Sequence, residues 1–214
     1  MLINELLMDI KNRSAVLPEF QREYVWSRDQ ARELMTSLLK KYPVGGLLFW
    51  KTNSPPDLKN FPNPTANSGA LQVILDGQQR LTTLYLLLEG EIPPYYTESD
   101  IATDIRSLYF NVETRDFQYY QPIRMKDQPV WVKVTDCFST DSTIDPFTIA
   151  RKVSEGESEQ NANASLFYSN LNDLKNIRST TDIPLQLIPF EADIDDAIDV
   201  FDKILEKHKG NINV

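Results

Sequence analysis

The stretch Val73-Ile74-Leu75-Asp76-Gly77-Gln78-Gln79-Arg80 constrains this chain more than any other. An apolar run ends in an acid and a glycine, and a helical spacing of apolar residues (Leu81, Leu84, Tyr85, Leu88) begins directly behind it. The pattern predicts a strand that turns through glycine into a helix. Such a helix start leaves backbone N–H groups free, and these groups with the helix dipole favour an anion. Arg80 falls in the first turn, where its planar fork can hold a phosphate at two points. Asp76 falls at the strand end, within reach of a metal ion or a water. The same residues allow a plainer outcome, since Asp-Gly is a common turn pair and Arg80 can simply pair with Asp76. Spacing alone leaves both open, because this is a turn motif and not a full Walker loop.

Composition removes several function classes. With 214 residues and 41% apolar content the chain can bury one large core or two small ones. No apolar run reaches the ~18 residues a membrane helix needs. The opening MLINELLMDIKN does not read as a signal peptide, so a cytoplasmic location is expected. The one cysteine, Cys137, excludes an internal disulfide framework. The single histidine, His208, cannot build a multi-histidine zinc site or a histidine-metal nuclease centre. It lies in a charged stretch that reads as a solvated helix end. Chemistry must therefore run on carboxylates, arginines, amides and hydroxyls, with Mg²⁺ as the metal that suits them. A net charge of −9 argues against attraction to nucleic acid over the whole surface. Local positive charge remains at Lys11, Arg13, Arg22, Arg28 and Arg32, while acids gather at Asp193, Asp195, Asp196, Asp199 and Asp202.

Along the chain, residues 4–12 read as a short helix or strand. Pro18 to Trp26 is extended and aromatic. Ser27 with Gln30 three residues on has capping-box spacing for a helix whose apolar face is Ala31, Leu34, Met35, Leu38 and Leu39. That helix should stop before Tyr42-Pro43. A buried strand over 45–51 and a long proline-containing loop over 52–70 follow, then the opening motif and a mostly buried helix closed by Gly90. Residues 107–112 and 116–120 suggest a hairpin, and 130–134 a strand with Val130, Val132 and Val134 on one face. Helix is expected from Asp145 to about Arg178, broken near Gly156 and at Asn161-Ala162-Asn163. Residues 183–190 read as an edge strand limited by Pro184 and Pro189. A last helix starts at Asp193 or Asp195.

Three features coincide in order and spacing: Pro18-x-Phe20-Gln21-Arg22-x-Tyr24-Val25-Trp26, Tyr42-Pro43-Val44-Gly45-Gly46 with the apolar strand after it, and Leu75-Asp76-Gly77-Gln78-Gln79-Arg80-Leu81-Thr82-Thr83. Together they resemble the N-terminal domain of GmrSD-type, modification-dependent restriction enzymes, whose hallmark is the D-G-Q-Q-R motif. The close resemblance covers about Leu17 to Leu88 and returns weakly at 183–204. It implies an α+β fold, a ParB/sulfiredoxin-like mixed sheet with flanking helices and a C-terminal helical extension. In that frame residues 1–92 are the ParB-like core with both motifs, and 93–214 are the remainder of the same domain, truncated at the C-terminus.

The resemblance also implies an activity: binding and hydrolysis of a nucleoside triphosphate, coupled to restriction of modified phage DNA. Asp76, Gln78, Gln79 and Arg80 become the expected catalytic residues. Gln21, Arg22, Gly77, Arg80, Thr82 and Thr83 become the expected nucleotide contacts. Arg80 would neutralise phosphate, Gly77 would let the backbone approach it, and Asp76 would hold Mg²⁺ or orient the attacking water. One of Gln78 and Gln79 would position that water. Arg22 would be a second clamp. Thr82 and Thr83 either touch phosphate or bond back to their own helix. Tyr24 and Trp26 are candidates for base stacking, with core packing favoured for Trp26. The histidine-metal nuclease domain of DNA-cutting relatives is missing, so no nuclease activity is expected here. DNA would be reached through a missing C-terminal nuclease domain or a partner subunit. A homodimer and an absence of membrane contact complete the expected partners. A modified-base-reading DNA module without hydrolysis, and a degenerate protein-interaction subunit, are the competing functions.

Overall fold

The computed structural model describes residues 1–61, 69–192, 195–200 and 203. It is an α+β arrangement of a mixed four-stranded sheet and a smaller antiparallel one. The larger sheet holds β1 (Ala15–Val16), β2 (Leu47–Thr52), β3 (Leu71–Asp76) and β7 (Leu185–Ile188) in the order β1-β3-β2-β7. Strand β3 runs parallel to β1 and antiparallel to β2, and β7 pairs parallel with the far edge of β2. Continuous apolar runs in β2 and β3 follow from burial on both faces. Leu47, Phe49 and Ile74 enter the main core, while Leu48, Trp50, Val73 and Leu75 enter a second cluster on the opposite face. Part of that second face is closed by residues 195–200, which are helical and bury Ala197.

Helices α1 (Ile3–Lys11), α2 (Arg28–Leu39) and α3 (Gln78–Leu88) pack around the main core. The predicted capping box of α2 is present: the Ser27 hydroxyl accepts from Gln30 N at 3.3 Å, and Gln30 Oε1 accepts from Ser27 N at 3.0 Å. The helix ends at Leu39, and Lys41 turns the chain with φ 59° just ahead of Tyr42-Pro43. Every residue of α3 except Arg80 is buried, so packing and not amphipathic patterning stabilises it.

The smaller sheet has the order β5-β4-β6, from β4 (Leu108–Asn111), β5 (Phe117–Tyr119) and β6 (Trp131–Lys133). The expected hairpin is β4–β5, and Val130, Val132 and Val134 are all buried, as their alternation predicts. Val134 already opens helix α5 (Val134–Phe138), which follows the single turn α4 (Pro122–Met125) in chain order.

The helical region 145–178 breaks once. Helix α6 (Pro146–Val153), capped by the Asp145 carboxylate on Phe147 N and Thr148 N, gives way at Gly156 to α7 (Glu157–Thr180). The second break expected at Asn161-Ala162-Asn163 does not occur. Those side chains lie on the wet side of α7, while Ala164, Phe167, Asn170, Leu171, Leu174 and Ile177 bury the other side. That stripe carries the helix through its polar start. Strand β7 is shorter than the expected 183–190, confined by Pro184 and Pro189 to an edge of the sheet. The last helix includes Asp195, whereas Asp193, Ile204, Leu205 and His208 lie outside the described residues. No helix among the described residues is long and apolar enough to cross a membrane.

Candidate functional site

Strand β3 ends at Asp76, Gly77 adopts φ 92°, and α3 begins at Gln78 without a side-chain cap. Glycine is required here on two counts. The backbone is left-handed, and a Cβ would fall 2.2 Å from Leu47 Cδ2. The turn delivers Asp76 and Arg80 to the same corner. Their side chains are 40% and 21% exposed, and Arg80 Nη2 lies 3.6 Å from Asp76 Oδ2. At that separation they attract without a hydrogen bond. Arg80 Nη2 donates instead to the carbonyl of Gly46. Arg80 Nε is enclosed and has no acceptor among the described residues.

The extended segment after Pro18 lies across the head of α3, and side-chain amides hold it there. Gln21 Nε2 donates to Leu75 O at 2.7 Å. Gln79 donates from Nε2 to Glu23 O at 2.9 Å and accepts at Oε1 from Val25 N at 2.9 Å. One amide therefore satisfies a carbonyl and an N–H two residues apart, as a neighbouring strand would. Gln78 Nε2 donates to Arg22 O at 3.0 Å, and the Tyr96 hydroxyl donates to the same carbonyl at 2.7 Å. Gln78 is 5% exposed, yet its Oε1 has no partner among the described residues. A buried acceptor without a donor costs about 1–3 kcal/mol.

Arg22 presents its side chain to solvent beside this segment. Thr82 and Thr83 are fully buried: the Thr82 hydroxyl pairs with Tyr95 Oη at 3.2 Å, and the Thr83 hydroxyl donates to Gln79 O and pairs with Tyr24 Oη at 2.9 Å. Both hydroxyls thus serve the packing of α3. Tyr24 is completely buried, and Trp26 is half-buried against the core. Burial pushes the Tyr24 hydroxyl up to about 12 against the lowering effect of its bond to Thr83. Burial likewise raises Tyr96, reinforced by Tyr95, Asp100 and Glu23 and opposed by Arg22.

The loop between α2 and β2 adds a part that carried no site role in the sequence. Gly45, at φ 83°, places its backbone so close to Arg80 that a Cβ would sit 2.9 Å from Nη1. Gly45 and Gly46 also form one wall of a cleft of about 680 Å³ between this loop and the C-terminal half of α7. Tyr42, Asn176, Ile177 and Thr181 contribute to its lining, whereas Asp76, Gln78 and Arg80 do not. The glycine pair is thus shared between the arginine and the cleft. The α7 residues carry no sequence signal, because only the fold brings them against the loop.

Carboxylates do not gather here. No group of three His, Cys, Asp or Glu side chains able to hold a metal occurs among the described residues. Asp76 is the acid at the corner.

An uncharacterized protein of Methanocaldococcus jannaschii is 38% identical over 132 residues, which covers 52% of this chain and 22% of that protein. The chain thus spans about a fifth of the length of that relative. The model of the GmrSD restriction endonuclease N-terminal domain matches residues 3–209, the whole stretch that carries the corner, the amide-held segment and the cleft. This chain belongs to that family.

Proposed function

We propose that the head of α3 binds the phosphate chain of a nucleoside triphosphate and promotes its hydrolysis, with the nucleoside lying in the adjoining cleft. The observation that carries this reading is Arg80, 21% exposed beside the β3–α3 turn and tethered there by the bond from Nη2 to Gly46 O. A guanidinium beside an uncapped helix start is suited to a polyphosphate. The strand–glycine–helix corner lies at the end of a mixed sheet, where the ParB/sulfiredoxin-like arrangement implied by the resemblance would place a phosphate-binding arginine. Mg²⁺ suits the donor set if it arrives on the nucleotide. One carboxylate, Asp76, with phosphate oxygens and waters is an ordinary magnesium shell, whereas the described residues offer no protein-only cage.

The residues then divide. Arg80 and the first α3 N–H groups hold phosphate, and the exposed Arg22 closes from the other side. Asp76 orients the water that attacks the terminal phosphorus, and the buried Gln78 amide backs it at the head of α3. Gln79, Thr82 and Thr83 keep the head of the helix in place and reach the ligand only indirectly. Gln21 does the same for the end of β3. In the restriction system to which the family belongs, this stretch supplies nucleotide control, and DNA cleavage belongs to a nuclease domain or subunit beyond it.

The test is thermal stabilisation by ATP, GTP, CTP or UTP with Mg²⁺ at millimolar concentration, followed by phosphate release. A rise in melting temperature with at least one triphosphate, lost in Arg80→Ala, supports the reading. No shift with any of them ends it.

A further inference from the structure

The smaller sheet buries one face and leaves the other open. Leu108, Phe110, Phe117 and Val132 point into the core. On the reverse, cross-strand pairing sets Gln118, Tyr109 and Lys133 in one row, with Tyr109 in the middle. Side chains alternate along a strand, so Tyr120 and Trp131 share this outer face, Trp131 half-buried where it also packs against the edge of the core. They sit at opposite corners of the row: Tyr120 N bonds Ser107 O at one end, and Trp131 pairs with Asn111 at the other. Tyr120, Tyr109 and Trp131 therefore form a diagonal aromatic stripe across all three strands. The Tyr109 and Tyr120 rings are 5.4 Å apart with a 40° tilt, and Tyr120 is 45% exposed.

Positive charge borders the stripe. Directly after Tyr120 the chain makes the single turn α4, anchored by buried Met125, whose sulfur accepts from Gln121 N. The turn holds Ile123 fully exposed, with Arg124 and Lys126 exposed beside it. Neither cation forms an ion pair among the described residues. Lys133 stands within the row itself. Acids lie close by: exposed Asp127 directly follows Lys126, Asp136 acts on Tyr109, and Asp104 lies in the field of Lys133. In a chain of net charge −9, an open aromatic face bordered by Arg124, Lys126 and Lys133 is complementary to a polyanion with flat, apolar units.

We infer that this outer face is a stacking platform for single-stranded nucleic acid, with unpaired bases on Tyr120, Tyr109 and Trp131 and phosphates on Lys133, Arg124 and Lys126. A duplex hides its base faces and gains nothing from the stripe, whereas unpaired bases stack on sheet-borne aromatic rings with little regard to sequence. The inference is independent of the nucleotide reading of the α3 corner.

The probe is a fluorescein-labelled mixed-sequence 20-mer, as single-stranded DNA, single-stranded RNA and duplex DNA, followed by anisotropy with the 214-residue chain at about 50 mM salt. Single strands are expected to bind more tightly than duplex. Tyr120→Ala and Trp131→Ala should each weaken binding about tenfold, with Tyr120→Phe close to the parent. Lys126→Ala should lower the slope of log affinity against log salt by about one. Unchanged urea midpoints would show that these variants remain folded. Equal or tighter binding of duplex overturns the inference. So does an absence of binding to either single strand up to about 100 µM, or aromatic variants that bind like the parent. Self-association of the chain that Tyr120→Ala and Ile123→Asp abolish, without any nucleic acid binding, would assign the face to a protein contact and overturn it equally.

Discussion

The two sheets differ in how many of their faces are dry. The mixed sheet is sealed on both sides, with Phe49 and Ile74 in one core and Trp50 and Val73 in the other. The antiparallel sheet is sealed on one side, and its reverse carries half-exposed tyrosine, tryptophan and lysine. A doubly buried sheet has few free side chains to offer, so its chemistry is confined to strand ends, and that is where Asp76 and Gly77 lie. A half-buried sheet can use its surface. The contrast separates a rigid edge that can aim an arginine from a broad face that can receive a larger partner.

Phe49→Ala should cost about 3–5 kcal/mol in urea unfolding, whereas Tyr109→Ala should cost well under half of that. Similar values would mean that the two faces are equally structural. Arg80→Ala should weaken triphosphate binding about ten- to a hundredfold by titration calorimetry while moving the urea midpoint little. Within the corner, Gln79→Ala removes both bonds to residues 23 and 25 and should destabilise the fold by about 2–3 kcal/mol. Gln78→Ala removes one bond to Arg22 O, which keeps the Tyr96 hydroxyl, and should cost only about 1 kcal/mol while slowing phosphate release. A reversal of these two phenotypes would reverse the assigned roles. Ser27→Ala should cost about 1 kcal/mol through the lost cap of α2.

The smallest effect is expected from pH near neutrality. Burial pushes the Tyr24 and Tyr85 hydroxyls and the Cys137 thiol up to about 12, from ordinary values of 10.0 and 9.0. Groups raised in the folded state contribute stability that is complete below their ordinary values and is lost as pH climbs towards the raised ones. The urea midpoint should therefore respond little to these groups from pH 7 to 9 and fall between about 9 and 12.

Much of the scaffold was legible because its signals are local. The Ser27–Gln30 spacing, the Asp76-Gly77 turn, the break at Gly156 and the prolines around β7 each act within a few residues. The site was legible only as a set of candidates. Gln78 and Gln79 are the same residue type side by side, and nothing near them in sequence says which amide is occupied. Their partners are the backbone of residues 22–25, more than fifty positions away. The Asn161-Ala162-Asn163 stretch misled for the complementary reason. Its polarity is local, while the stripe that keeps α7 helical is satisfied by contacts elsewhere in the fold. The cleft could not be read at all, since it joins the Gly45–Gly46 loop to a helix over a hundred residues later.

The tether between Arg80 and the Gly46 carbonyl has a further consequence. A long cationic side chain usually surrenders its rotational freedom when an anion arrives, and that loss is subtracted from affinity. Here folding has already fixed the guanidinium, so binding an anion as proposed would cost little further side-chain freedom. Lengthening the 41–46 turn by a residue or two would keep every charge and still slacken the grip.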